Sequence, residues 1–393
     1  MRDAMAHFEE VKDALPGDAA ARAAALAAAE TLGLPTRRVE SWHYTDLPKL
    51  LQIDAADRVE AVNFIGVDAL MAIFDNGGLE AAPQSDGLKI SPFDGAAAIG
   101  QASMAQYNAA LAQNGLIAEI DATLAKPLVI TTSGADDTHL AHKITLADGA
   151  KAVLVDNHMA TGYSNNVFDI TLGQGAELTL IRVQQAGRQI GQSRVRLAAE
   201  ARYRSVAMVL GGSLARHEAE ICLAAEGALA ELHGAVLGRD KHHADFTYVI
   251  DHQAANTQSH TTAYNVLDAG ARAVFQGKVI VRPDAQHVEA DMQARAMMLA
   301  EGAEMDAKPE LEIYADDVAC AHGSAIGELD REALFFLRAR GLDEASARHL
   351  LVSAFIEQIT AHIADAPVEG EGLMQIMRQL IGSKVSALLG DMA

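Results

Sequence analysis

The feature that most constrains this chain is an internal repeat. "ITLADGAKAVLV" begins at Ile144, "ITLGQGAELTLI" at Ile170, "VRLAAEARYRSVAMV" at Val195 and "ICLAAEGALAELHG" at Ile221, so the starts lie 26, 25 and 26 residues apart. A fifth strand-like run, "FTYVIDH", begins at Phe246, 25 residues further on; the phase then slips, and "NVLDAGARAVFQGKVIV" resumes the theme from Asn265. Short β-favouring runs at such a period, with no helix between them, fit a β-solenoid. One turn cannot bury its own apolar face and gains a core only by stacking on the next. A β-sandwich also repeats strands, but at a spacing nearer about 8–12 residues. On the solenoid reading Leu146, Leu172, Leu197 and Leu223 form one inward ladder, with Gly149 and Gly175 at tight corners.

Helical texture flanks this core. Residues 1–115 read as a mostly helical region, 116–327 as the solenoid and 328–393 as a second helical region. "DAAARAAALAAAETLG" is a strong helix former opened by Gly17–Asp18 and closed by Gly33, and "MAQYNAALAQNG" forms another helix. "ADRVEAVNFIG", residues 56–66, reads as a strand. After the last strand texture, Asp330 caps "DREALFFLRARG", with Gly341 as its stop, and Asp343 caps "DEASARHLLVSAFIEQITAHIAD". A third helix follows in "GEGLMQIMRQLIGSKVSALLG".

Composition narrows the function. Half of the 393 residues are hydrophobic and 21% charged, which is a globular balance. The net charge of −22 repels phosphate backbones and anionic lipid, so neither nucleic acid nor membrane is the expected partner. Aromatic residues are 5% of the chain, too few for extended stacking platforms. No apolar run reaches the roughly 18 residues of a membrane span, the start lacks the order of a signal peptide, and two cysteines cannot build a disulfide framework. A cytoplasmic protein is expected. No P-loop, dinucleotide-binding glycine motif or nucleophile elbow occurs.

The chemistry-bearing residues are few. In "VACAHGSAIGELD", residues 318–330, Cys320 and His322 lie two apart; on a strand they share a face and could meet one ligand. Thiolate and imidazole suit iron, zinc or cuprous copper. Two donors do not complete a site, however, and a structural, buried thiol is the plainer reading of these residues alone. If the site is real, another chain must supply the missing ligands. Cys222 reads as a buried thiol within a rung. His242, His243, His252 and His260 could form a metal patch but are expected mostly to face solvent along the solenoid. Asp316 and Asp317, as neighbours on a strand, point to opposite faces, which suits paired carboxylate catalysis poorly.

Residues 309–355, "PELEIYADDVACAHGSAIGELDREALFFLRARGLDEASARHLLVSAF", resemble the C-terminal signature of the SufB/SufD family of iron–sulfur cluster assembly proteins. "GARAVFQGKVIV" and "ESWHYTDL", with Glu40, Trp42, Tyr44 and Thr45, also fit that family's pattern. The short chain, this N-terminal box and the histidine two after the signature cysteine resemble its SufD branch. The resemblance implies a right-handed parallel β-helix flanked by N- and C-terminal helical regions. It implies a non-enzymatic scaffold subunit that pairs with SufB through the β-helix ends and docks the SufC ATPase. Cys320 and His322 match the positions at the SufB–SufD interface, where a nascent cluster or its iron is held. The helices carrying Leu342, Leu350, Leu351, Phe355 and Ile359 match the SufC-docking region. A reduced flavin in the assembled complex is a further implication, although no flavin fingerprint occurs here. Homodimerisation of the isolated chain through the same end is a related expectation. Two rival readings are a β-helix carbohydrate lyase or hydrolase, which needs aromatic subsites and clustered acids, and a free-standing metal-binding protein, which needs four or more ligands in one chain.

Overall fold

The computed structural model describes residues 4–53, 64, 67–95, 98–364, 366 and 371–390. The strand expected over 56–66 therefore lies outside the described residues, except for Phe64. Among the described residues the chain alternates between two stacked sheets, one of ten strands and one of nine. After Ile117–Ile120 each step adds one strand to one sheet and the next strand to the other, pairing in parallel with its earlier neighbour in that sheet; Leu70–Asp75 with Gly78–Ala81, and Leu88–Ser91 with Ile117–Ile120, pair antiparallel. The molecule is the parallel β-solenoid that the repeat required.

The leucine ladder forms as expected. Leu146 pairs with Leu172, Leu172 with Leu197, and Leu197 with Leu223, all fully buried between the sheets. Burying each such side chain contributes about 1.5–3 kcal/mol. The ladder then runs on through His252, Val281 and Ile313. Gly149 and Gly175 do turn corners, with φ of 69° and 63°, a left-handed conformation that glycine adopts without a Cβ clash.

The fifth repeat does not start where a constant period put it. Ile221 pairs with Ile250, and Phe246 lies beside His217 one layer earlier. The slip thus comes one turn sooner than the sequence suggested. Leu223 and His252 are 29 residues apart, and Val281 and Ile313 are 32 apart.

Helices cover both outer faces. From the N-terminal region, Phe8, Leu26, Leu47 and Met104 pack on Tyr163, Ile190 and Leu214 of the nine-stranded sheet. From the C-terminal region, Val352, Ile356, Ile363 and Met377 pack on Val153, Ile181 and Val206 of the ten-stranded sheet. The expected caps are present: Asp18 accepts from the amides of Ala20 and Ala21, Asp330 from those of Glu332 and Ala333, and Asp343 from that of Ser346. Residues 1–115 also contribute three strands, Leu70–Asp75, Gly78–Ala81 and Leu88–Ser91.

The N-terminal box clamps its region to the sheet. Arg216, wholly buried, lies 3.9 Å over the ring of Trp42 and donates to the carbonyl of Ser41 at 2.7 Å. It also pairs with Asp245 and Glu218. Thr45 donates to Asp245 and meets Nε2 of His243 at 2.9 Å. A buried guanidinium is tolerable because carboxylates, a carbonyl and an aromatic face replace its water.

Candidate functional site

The last strand, Val318–Glu328, pairs in parallel with Val288–Met298, and among the described residues no strand lies beyond it. Register places Cys320 beside Ala290 and His322 beside Met292. One rung further in, these rows continue as Ser259 and Thr261. Ala290, Met292, Ser259 and Thr261 are all buried, so Cys320 and His322 occupy rows that face the core elsewhere. Here the rows end. Cys320 is half-buried against the core, and His322 is exposed.

Two donors on one face of a terminal rung can therefore reach a ligand beyond the solenoid's end. Burial raises the Cys320 thiol above its ordinary pKa, opposed by a hydrogen bond with the backbone of Ala290. A metal must displace that proton before sulfur can ligate. Beside His322 lies a cleft of about 300 Å³ whose lining includes Asp291, Arg295 and Ser324. Among the described residues, no three His, Cys, Asp or Glu side chains gather as a metal site. Cys320 and His322 remain a partial donor set.

The other sequence candidates separate. Cys222 sits on a rung of the nine-stranded sheet with its Sγ 3.4 Å from Arg196 Nη1, and burial raises its pKa. The histidine stretch does not mainly face solvent as expected. His242, His243 and His252 are buried, and only His260, paired with Asp291, is substantially exposed. The N-terminal region covers His243, while His252 takes the ladder position after Leu223 and meets Thr257 and Ser259 at 2.8 and 2.9 Å. Burial holds the pKa of His243 and of His252 at about 4.

In the C-terminal region, Leu350 is exposed, Leu342, Leu351 and Phe355 are half-buried, and Ile359 is fully buried against the ten-stranded sheet. Ile359 is thus a core residue in this structure. Sequence reasoning passed over Phe335 and Phe336, which are 75% and 53% exposed on helix Arg331–Arg338. None of that helix's residues is buried. The adjacent phenylalanines in a short capped helix bounded by Arg331, Glu332 and Arg338 were the available signal.

Residues 129–355 match the family model described as "SUF system FeS cluster assembly, SufBD core domain". The chain is 26% identical over 381 residues to the iron-sulfur cluster assembly protein SufD of Escherichia coli (strain K12), covering 89% of this chain and 90% of that protein. It is 33% identical over 238 residues to an iron-sulfur cluster assembly SufBD family protein of Synechocystis, covering 58% of this chain and 52% of the other. A chloroplastic protein of Arabidopsis thaliana, ABCI7, is 32% identical over 203 residues, covering 50% and 42% of the two chains. The matched segment carries most of the solenoid, the terminal Cys320 and His322, and the first helices after them. This chain belongs to the SufBD family of iron–sulfur cluster assembly proteins.

Proposed function

We propose that the chain is a non-catalytic scaffold subunit whose open solenoid end pairs with a SufB partner and holds a nascent iron–sulfur cluster, or its iron, between the two. One observation carries this reading: Cys320 and His322 stand as an incomplete donor set on an uncapped terminal rung. An unpaired edge is a ready template for a second chain, and such a chain can bring the missing ligands. Cluster and iron are cargo here. Cys320 supplies a thiolate after losing its proton, and His322 supplies one ring nitrogen. The same end is the surface through which an isolated chain would pair with itself.

We also assign the exposed face of Phe335, Phe336 and Leu350 to docking of a SufC-type ATPase. Deleting the C-terminal helices would be a poor test, because they cover the solenoid's apolar face. The surface substitutions F335S, F336S and L350S leave that core intact.

The experiment is co-expression with SufB and SufC, followed by affinity purification and cluster quantification. Cys320→Ala and His322→Ala should preserve the complex and lower cluster yield at least tenfold. Undiminished yield in both variants would overturn the site. The triple serine variant should lose ATPase at least tenfold while retaining SufB; undiminished ATPase would overturn the docking face.

A further inference from the structure

A cleft lies between the N-terminal region and the solenoid, and its lining includes neither Cys320 nor His322. Its volume is about 400 Å³, within the usual range for small-molecule sites of about 300–1,000 Å³. In a chain of net charge −22, four cations line it: Arg37, Lys49, Lys241 and Arg272. Two of them are committed. Lys49 lies 3.5 Å from Asp46, and Arg272 is held by Asp306 at 2.6 Å and Glu304 at 3.4 Å. Arg37 and Lys241 are exposed and form no ion pair with the described residues.

The same lining includes Leu50, Ile53 and Tyr44, along with the carboxylates of Asp46 and Glu304 that hold Lys49 and Arg272. Gly270 and Gly302 line the cleft with backbone alone; both have positive φ, and a Cβ at Gly270 would meet the Asp240 carbonyl at 2.5 Å. Uncommitted cations in a concave site concentrate anions, even on a molecule whose overall charge repels them. A guanidinium binds phosphate oxygens in a two-pronged fashion, and an ammonium adds a mobile point charge. Apolar side chains in the same lining favour a ligand that carries an organic portion as well as the charge.

We propose that this cleft binds a small organic phosphate, its anionic head held by Arg37 and Lys241 and its organic part lying against Tyr44 and Leu50. This site is independent of the cluster reading, and either can fail alone.

Trp42, the only tryptophan, lies two residues from Tyr44 and offers a fluorescence readout. The full chain is titrated with adenosine monophosphate, adenosine and inorganic phosphate at low salt, by fluorescence and calorimetry. The monophosphate should bind saturably, at least tenfold more tightly than either fragment, and weaken as salt rises. Arg37→Ala with Lys241→Ala should weaken it at least tenfold at unchanged melting temperature. A control pair elsewhere, Lys89→Ala with Arg331→Ala, should leave it unchanged. Four results would overturn the assignment: no saturable binding, equal affinity in the cleft variant, an equal loss in the control pair, or inorganic phosphate binding as tightly as the nucleotide.

Discussion

The two ends of the solenoid are built from the same ladder and finished in opposite ways. At the start, the short strand Gly78–Ala81 runs antiparallel to Leu70–Asp75, and Leu88–Ser91 runs antiparallel to Ile117–Ile120. These reversals are four residues long, Lys89 pairs with Glu119 across one of them, and Phe74 and Leu116 behind them are fully buried. At the far end, Glu304–Ile313 and Val318–Glu328 stay long and parallel, with no strand after them among the described residues. Ile313, Tyr314 and Ile326 are 41%, 59% and 51% exposed there. Short, charged edges resist pairing, and long ones with apolar side chains invite it. The contrast marks one end as finished by the chain itself and the other as left open.

The largest test of that contrast compares two positions on one ladder. Leu172→Ala, in the closed body, should cost about 3 kcal/mol of stability by denaturant unfolding. Ile313→Ala, at the open end of the same row, should cost less than about 1 kcal/mol, because water already reaches it. Equal losses would mean that the open end is as tightly built as the interior. Next in size, Ile313→Lys with Ile326→Lys should weaken association with the SufB partner at least 100-fold, about 2.7 kcal/mol, by analytical ultracentrifugation. Leu79→Lys, on the reversed edge at the other end, should leave association unchanged.

The smallest effect is on pH dependence and concerns the closed body alone. His158 is sealed among the sheets, and burial lowers its pKa to about 4. Its neutral form is therefore favoured in the folded state. Stability from this residue is complete above the unfolded value near 6.5 and is lost as pH falls from there towards 4, at about 1.4 kcal/mol per pH unit. His158→Leu should reduce the acid slope by that amount between pH 6 and 4.5, measured as urea midpoints across pH. An unchanged slope would mean that the histidine is hydrated in the folded protein.

Much of this was legible before any coordinates. The leucine ladder, the corner glycines and the helix caps follow from periodicity and local chemistry, and the structure contains them. The register after Leu223 was not legible. Phe246 and Ile250 are four apart, an even offset, so both face inward, and alternation alone cannot say which one continues the row. Extra residues between rungs decided it. The buried histidines escaped for another reason: a polar residue at an inward position looks like a surface residue until its partners, such as Thr257 and Ser259 around His252, are placed. The pairing of Cys320 with His322 on one face was readable from their spacing. That no third donor joins them among the described residues depends on long-range topology, which two ligands on one strand cannot disclose. Trp42 over Arg216 joins residues far apart in the sequence, a meeting that only the folded chain defines.

The reversed strands at the start of the ladder also have an arithmetic consequence. A rod that can be joined at both tips grows without limit, whereas one blocked at a single tip can only count to two. Head-to-head joining uses up the free tip of each member and leaves none for a third. On the proposed pairing, the hairpin of Leu70–Asp75 with Gly78–Ala81 would thus set stoichiometry from the side opposite the chemistry, and guard against fibre formation.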